Sequence, residues 1–241
     1  MGKLDGKVAL VTGSNRGIGK GIARGLAAEG ASLVLAARNA ATLRQVAEEL
    51  EQAGTPTLAI PTDVADEAQV ERLFAQAMER FGRLDILVNN AGAFDGGLLD
   101  ELTVEAWDKV INTNLRGPFL CTRSAMRIMK PQRGGRIINV GSISAQRVRP
   151  RSAAYSTSKH GIWGLTQVTA LEGREFGIAA SCLHPGNTRV EPKGPRVNET
   201  EPMMHVDELA QAAVLMATLP PHVNMLEAIV MPIDQLYIGR G

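Results

Sequence analysis

The sequence predicts an α/β fold: a single doubly wound parallel sheet of about seven strands with helices on both faces. Three observations carry this. Short apolar runs alternate with longer stretches of helical spacing along almost the whole chain. Most of the short runs are unbroken Val, Ile, Leu and Ala, the pattern of strands covered on both sides. A glycine-rich turn joins the first apolar run to the first helical one, as in sheets of the Rossmann type.

Taken in order, the runs at 7–11, 32–36, 57–60, 84–88, 136–140, 178–183 and 228–231 read as strands. Helical spacing covers about 17–29, 40–53, 66–81, 103–130, 153–175 and 206–219. Asp66 before Glu67, and Thr103 ahead of Glu105 and Ala106, are helix start signals. Strands that alternate with helices in this way are joined by right-handed crossovers. There is no internal repeat, low-complexity tract or linker, so residues 1–241 are expected to form one domain. The irregular stretch 185–202 reads as a loop over a site, with a short substrate loop at about 187–205.

Composition narrows the function classes. Hydrophobic residues make up 44% and charged residues 21%, which suits a soluble globular protein with a sizeable core. A net charge of +1 gives no field that would draw nucleic acid or a membrane surface. Cys121 and Cys182 have neither CxxC spacing nor a histidine cluster, so they read as reduced packing cysteines, with no metal site. No signal-peptide core and no membrane-length apolar run is present, and a cytoplasmic location is expected. The glycosylation sequon Asn198-Glu199-Thr200 then reads as chance.

The chemistry begins at Thr12-Gly13-Ser14-Asn15-Arg16-Gly17-Ile18-Gly19, between the first strand and the first helix. Gly13 permits a tight turn, Gly17 lets backbone approach a pyrophosphate, and Gly19 allows close packing of helix on strand. The helix N-terminus offers free N–H groups and a positive dipole end to phosphates. The second strand ends Ala36-Ala37-Arg38-Asn39, without the acid that would accept a ribose 2′-OH. Arg38, with Arg16, suits a 2′-phosphate instead, so NADP(H) is preferred and NAD(H) remains possible. Either arginine alone also reads as a solvated charge. Asp63, in Thr62-Asp63-Val64, is placed to meet an adenine amino group or to serve as a turn aspartate.

Tyr155 and Lys159 stand one helical turn apart, on one face. An ammonium beside a phenol favours the phenolate, which suits a proton donor or acceptor.

Asn89-Asn90-Ala91-Gly92, directly after the fourth strand, completes a set of motifs that resembles the short-chain dehydrogenase/reductase superfamily, in its single-domain branch. The resemblance runs from Lys7 to about Thr188. It comprises the glycine turn, Asp63, Asn89-Asn90-Ala91-Gly92, Asn114, Ser142, Tyr155 with Lys159, and Pro185-Gly186.

The resemblance implies a dinucleotide-binding catalytic domain with Asn114, Ser142, Tyr155 and Lys159 as its catalytic residues. Ser142, after the fifth strand, would hold a substrate carbonyl or alcohol, with Ser144 as its competitor. Tyr155 would be the general acid for reduction and the general base for oxidation. Lys159 would tune it and hold the nicotinamide ribose. Asn114, preferred to Asn112, would kink the fourth long helix and anchor a relay water. Asn90, Ala91 and Gly92 would line the cofactor groove, as would Val64 beside Asp63. Pro185-Gly186-Asn187-Thr188 would form the nicotinamide-side loop, with Thr188 on the cofactor. His184 just before it reads as a satisfied or half-exposed histidine, since the family uses none there. Neither a metal nor a covalent nucleophile is needed.

Substrate-facing candidates are Ala93, Phe94, Ser144, Gln146, Arg147 and Asn187, beside Ser142 and Tyr155. Arg147, Arg149 and Arg151 suit an anionic or carrier-bound substrate, or a solvated charged loop. The resemblance also implies a homodimer or homotetramer; Phe119, Cys121, Ile128, Trp163 and Leu171 are compatible with the dimer surface, and core packing would explain each of them alone. Ile233-Asp234-Gln235-Leu236 stands where the family usually has Asp-Gly-Gly, which bears on the tetramer. The expected activity is NADP(H)-dependent interconversion of a carbonyl compound and a secondary alcohol, with a 3-oxoacyl-thioester reductase as one member of that class. The alternatives are a cofactor-sensing binding protein without turnover, or an NAD-using alcohol dehydrogenase.

Overall fold

The computed structural model describes residues 2–190 and 201–236. Seven strands form one all-parallel sheet in the order β3-β2-β1-β4-β5-β6-β9. They are β1 (Val8–Thr12), β2 (Ser32–Ala37), β3 (Thr57–Pro61), β4 (Ile86–Asn89), β5 (Gly135–Val140), β6 (Ile178–Pro185) and β9 (Glu227–Val230). The chain winds outward from β1 to β3, returns to place β4 on the other side of β1, and continues to β9. A crevice therefore opens between the carboxyl ends of β1 and β4, where the order reverses.

Alternation along each strand sends side chains to both faces. From β1, Ala9 and Val11 join a core packed by α1 (Gly17–Ala28), α2 (Ala40–Gln52) and α7 (Val206–Thr218). Val8 and Leu10 join the opposite core, packed by α3 (Glu67–Phe81) and α5 (Gly117–Gln132). The expected start signals are realised: Asp66 accepts the Gln69 N–H, and Thr103 accepts the Ala106 N–H at the head of α4 (Val104–Ile111).

Two expectations need correction. The single helix expected at 103–130 is α4 and α5 joined by a π-turn over Asn112–Arg116. Apolar spacing does not reveal a π-turn, because the extra residue leaves the stripes on either side intact. The loop expected at 187–205 has ordered ends: β7 (Thr188–Arg189) pairs in parallel with β8 (Met204–His205). Residues 191–200, with the sequon, lie outside the described residues.

Among the dimer-surface candidates, Cys121 is fully buried in the core under the sheet, and Ile128 packs against it. Phe119 and Leu171 are exposed. Among the described residues no helix is long and apolar enough to cross a membrane.

Candidate active site

The crevice is built around Thr12. Its Oγ1 accepts the N–H groups of Asn90 and Ala91, both at 3.0 Å, and donates to the Val88 carbonyl at 3.3 Å. Asn90 Nδ2 donates back to the Thr12 and Gly13 carbonyls. The end of β1 is thus riveted to the end of β4. Gly13 has φ 64°, and a Cβ there would lie 2.8 Å from Ala91 Cα. A Cβ on Gly19 would lie 2.3 Å from Asn90 Nδ2. Only glycine fits at both places.

Gly17 and Ile18 open α1, whose first turn has no side-chain cap and no acidic residue. Its N–H groups are therefore available to an anion. Ser14 Oγ is fully buried in the same turn and has no hydrogen-bond partner among the described residues. Such a group awaits a ligand oxygen. A glycine cradle, an uncapped helix end and an orphaned hydroxyl together fit a dinucleotide pyrophosphate.

The neighbouring positions divide. Asn15 is already engaged, donating to Thr42 Oγ1 at the head of α2. Arg16 and Arg38 are exposed, and neither has an ion pair with a described residue. Asp63 forms a turn in which Oδ1 accepts the Ala65 N–H while its own N–H goes to Gln69. One carboxylate oxygen is thereby occupied locally, so the turn reading holds at least in part. Val64 is buried against α5, where a Cβ on Gly117 would strike it.

The π-turn carries Asn114 inward, leaving it 1% exposed. Its Oδ1 accepts the Ala93 N–H at 2.7 Å, and its Nδ2 donates to the Ala93 carbonyl and to Ser158 Oγ. All its polar side-chain atoms are thus engaged within the protein. Gly92 lies beside the same amide. Asn89 reaches Thr122 and Asn139, and Asn139 reaches Thr166, a buried chain that ties β4, β5, α5 and α6 (Ala153–Gly173) together.

Ser142 follows β5, and its Oγ accepts the Ser144 N–H. The backbone of Ser144 thus supports the Ser142 hydroxyl. Tyr155 lies in the first turn of α6, half-buried, with Phe94 edge-on at 5.3 Å. Lys159 is 6% exposed; its Nζ donates to the Val140 carbonyl at 2.8 Å and lies 5.5 Å from the centre of the Tyr155 ring. That bond draws the face of α6 bearing Tyr155 to the strand end bearing Ser142. Phe94 itself is 57% exposed, as befits a side chain bordering an open site. Arg147, Arg149 and Arg151 lie exposed at the rim.

On the far side, Gly186 N–H donates to the Val230 carbonyl, and Thr188 Oγ1 donates to the Gly186 carbonyl. Pro185 ends β6 and turns this loop toward the sheet's carboxyl edge. Asn187 donates its backbone N–H to Gln235 Oε1 and its side-chain amide to Glu201. Asn187 is thus built into the loop's scaffold.

The short chain dehydrogenase family matches residues 7–201. The chain belongs to that family. Members of it are oxidoreductases. The chain is 38% identical over 189 residues to a 3beta-hydroxysteroid dehydrogenase of Mediterraneibacter gnavus, covering 78% of this chain and 68% of that one. It is 38% identical over 187 residues to a 3-oxoacyl-[acyl-carrier-protein] reductase of Synechocystis, covering 77% and 76%. A metagenomic short-chain oxidoreductase solved in complex with NADP superposes with a TM-score of 0.85 at 33% identity, covering 95% of this chain and 98% of that one.

In this short-chain dehydrogenase three supporting residues escaped sequence reasoning. Thr12 was visible only as the start of the glycine turn. Gln235, in the departing tail, is buried and props Asn187. His184 is not half-exposed and only half satisfied: it is fully buried, its Nδ1 meets the Ser142 main chain, and its Nε2 has no aligned hydrogen bond among the described residues.

Proposed function

We propose that this short-chain dehydrogenase interconverts a carbonyl compound and a secondary alcohol with NADP(H). The observation that carries the reading is Lys159, a buried ammonium anchored on Val140 beside the Tyr155 ring, two residues before Ser142. A nicotinamide bound along the crevice supplies the hydride.

The protein's part is orientation and the proton. Because Ser142 Oγ accepts from the Ser144 N–H, its own proton is free to point at a carbonyl oxygen. Tyr155 gives its phenolic proton to that oxygen in reduction and takes it back in oxidation. The Lys159 ammonium spends one N–H on Val140 and keeps two for other acceptors, while its charge stabilises the phenolate left behind. Asn114 holds Ala93 and Ser158, and through them the walls on either side of Tyr155.

Arg16 and Arg38, exposed at the crevice without acidic partners among the described residues, favour the 2′-phosphate, and the metagenomic relative binds NADP. The Synechocystis relative is a 3-oxoacyl-[acyl-carrier-protein] reductase, and the arginines at the rim suit an anionic or carrier-bound substrate.

The test is NADPH oxidation against ketones, aldehydes, quinones and 3-oxoacyl thioesters, with Tyr155→Phe in parallel. Turnover by the wild type that falls about 100-fold or more in Tyr155→Phe, with NADPH affinity kept, supports the reading. Tight NADPH binding with no turnover of any carbonyl would favour a cofactor sensor.

A further inference from the structure

His184 lies on β6, with its ring directly behind Ser142 and wholly shielded from solvent. Its Nδ1 is 2.9 Å from the Ser142 carbonyl oxygen and 3.2 Å from the Ser142 nitrogen. The approach depends on Gly141, where a Cβ would stand 2.6 Å from Nδ1. On the ring's other side, Nε2 is 3.2 Å from Glu227 Oε1 without hydrogen-bond alignment. Glu227 opens β9 and is paired with Cys182, two residues before His184, so both side chains point to one face of the sheet. The Gln146 amide donates to the same carboxylate oxygen at 2.7 Å.

We propose that His184 is a positioning residue that holds the main chain of Ser142 in place. This rests on the reading of Ser142 as the hydroxyl that meets the substrate. Nδ1 faces both polar groups of the Ser142 main chain: carrying the proton it donates to the carbonyl at 2.9 Å, and lacking it, it accepts the N–H at 3.2 Å, so either tautomer holds that peptide. Ser142 is then gripped from behind through its main chain and from in front through its Oγ, by the Ser144 N–H. Sub-ångström control of a group that orients the reacting carbonyl is worth a large factor in rate.

The test compares His184→Leu with His184→Asn in the full chain, since the asparagine amide reaches where Nδ1 stood. With the best carbonyl of the wild type, His184→Leu is expected to lower kcat by about 10- to 100-fold. NADPH affinity, read by fluorescence titration, should stay within about twofold. His184→Asn should recover most of the rate. Unchanged kcat in folded His184→Leu overturns the proposal. So does a parallel loss of NADPH affinity, which would mean that the ring acts on the Pro185–Thr188 loop. Should His184→Leu fail to fold, His184→Gln takes its place: its amide reaches toward Glu227, and it should be slow where His184→Asn is fast.

Amide exchange over residues 140–146 is measured on the same proteins. Faster exchange in the leucine or glutamine variant, with protection kept in His184→Asn, supports the contact; equal exchange overturns it. If the wild type turns over no carbonyl, the oxidoreductase reading fails alone, and exchange still decides the role of His184.

Discussion

The side chain of Asn114 closes a two-bond ring on the backbone of Ala93, accepting its N–H at 2.7 Å and donating to its carbonyl at 2.9 Å. An amide sets an acceptor and a donor side by side on separate atoms, so it serves both groups at once. Asn114→Asp keeps the shape but sets a carboxylate oxygen against the Ala93 carbonyl and strips Ser158 of its donor. We predict a loss of about 2 kcal/mol, hence a melting point lowered by roughly 4–8 °C. Thermal denaturation checks this, and an unchanged melting point would mean that the ring contributes nothing to stability.

Arg38→Asp is expected to raise the NADPH Kd about 10- to 100-fold, because a charge-assisted pair is replaced by repulsion. NADH binding should hold or improve, since the new carboxylate can accept from a ribose 2′-OH. Fluorescence titration with both cofactors decides it. Equal weakening would remove the 2′-phosphate assignment.

What the sequence made legible was what lies close along the chain. The glycine turn, the Asp66 and Thr103 caps and the Tyr155–Lys159 pair are each contained within about two helical turns, so spacing alone exposes them. The strands were legible because burial on both faces demands continuous apolar runs. The supports of the site are different in kind. Thr12 meets Asn90 across 78 positions, Gln235 meets Asn187 across 48, and His184 meets Ser142 across 42. Each of those residues looks ordinary in its own segment. Only the strand order brings the partners together. Cys121 stayed open between core and dimer surface for the same reason, since an apolar position on a helix does not say which neighbour covers it; its burial gives the packing reading.

Arg136 offers a test that leaves the site alone. It is a nearly buried arginine on β5 whose guanidinium donates to the carbonyls of Leu219, Pro220 and Val223, just beyond α7. Burial pushes its pKa down, though the group stays charged because an arginine starts so high. Arg136→Leu fills the space but orphans three carbonyls. We expect a loss of about 2–4 kcal/mol in urea unfolding, with kcat little changed below the melting transition. A variant of wild-type stability would show that solvent can replace the guanidinium.

The pH dependence of stability follows from His184. Burial lowers its pKa below the ordinary 6.5; the Ser142 backbone and the Glu227 carboxylate oppose that shift, and the Lys159 ammonium adds to it. Cys182, the other titratable group near the ring, has its thiol pushed up to about 12, mainly by burial, and stays neutral. Below pH 6.5 the unfolded chain therefore takes up a proton at this residue before the folded chain does. The contribution of the neutral ring is complete above that pH and is lost as pH falls toward the folded-state value. Urea unfolding of wild type and His184→Asn from about pH 8 down to 5 isolates the term, because every other group is common to both. The stability gap should move against the wild type as the pH drops through this range. A gap that stays flat would show that the folded ring accepts its proton as readily as the unfolded one, with the Glu227 carboxylate outweighing burial.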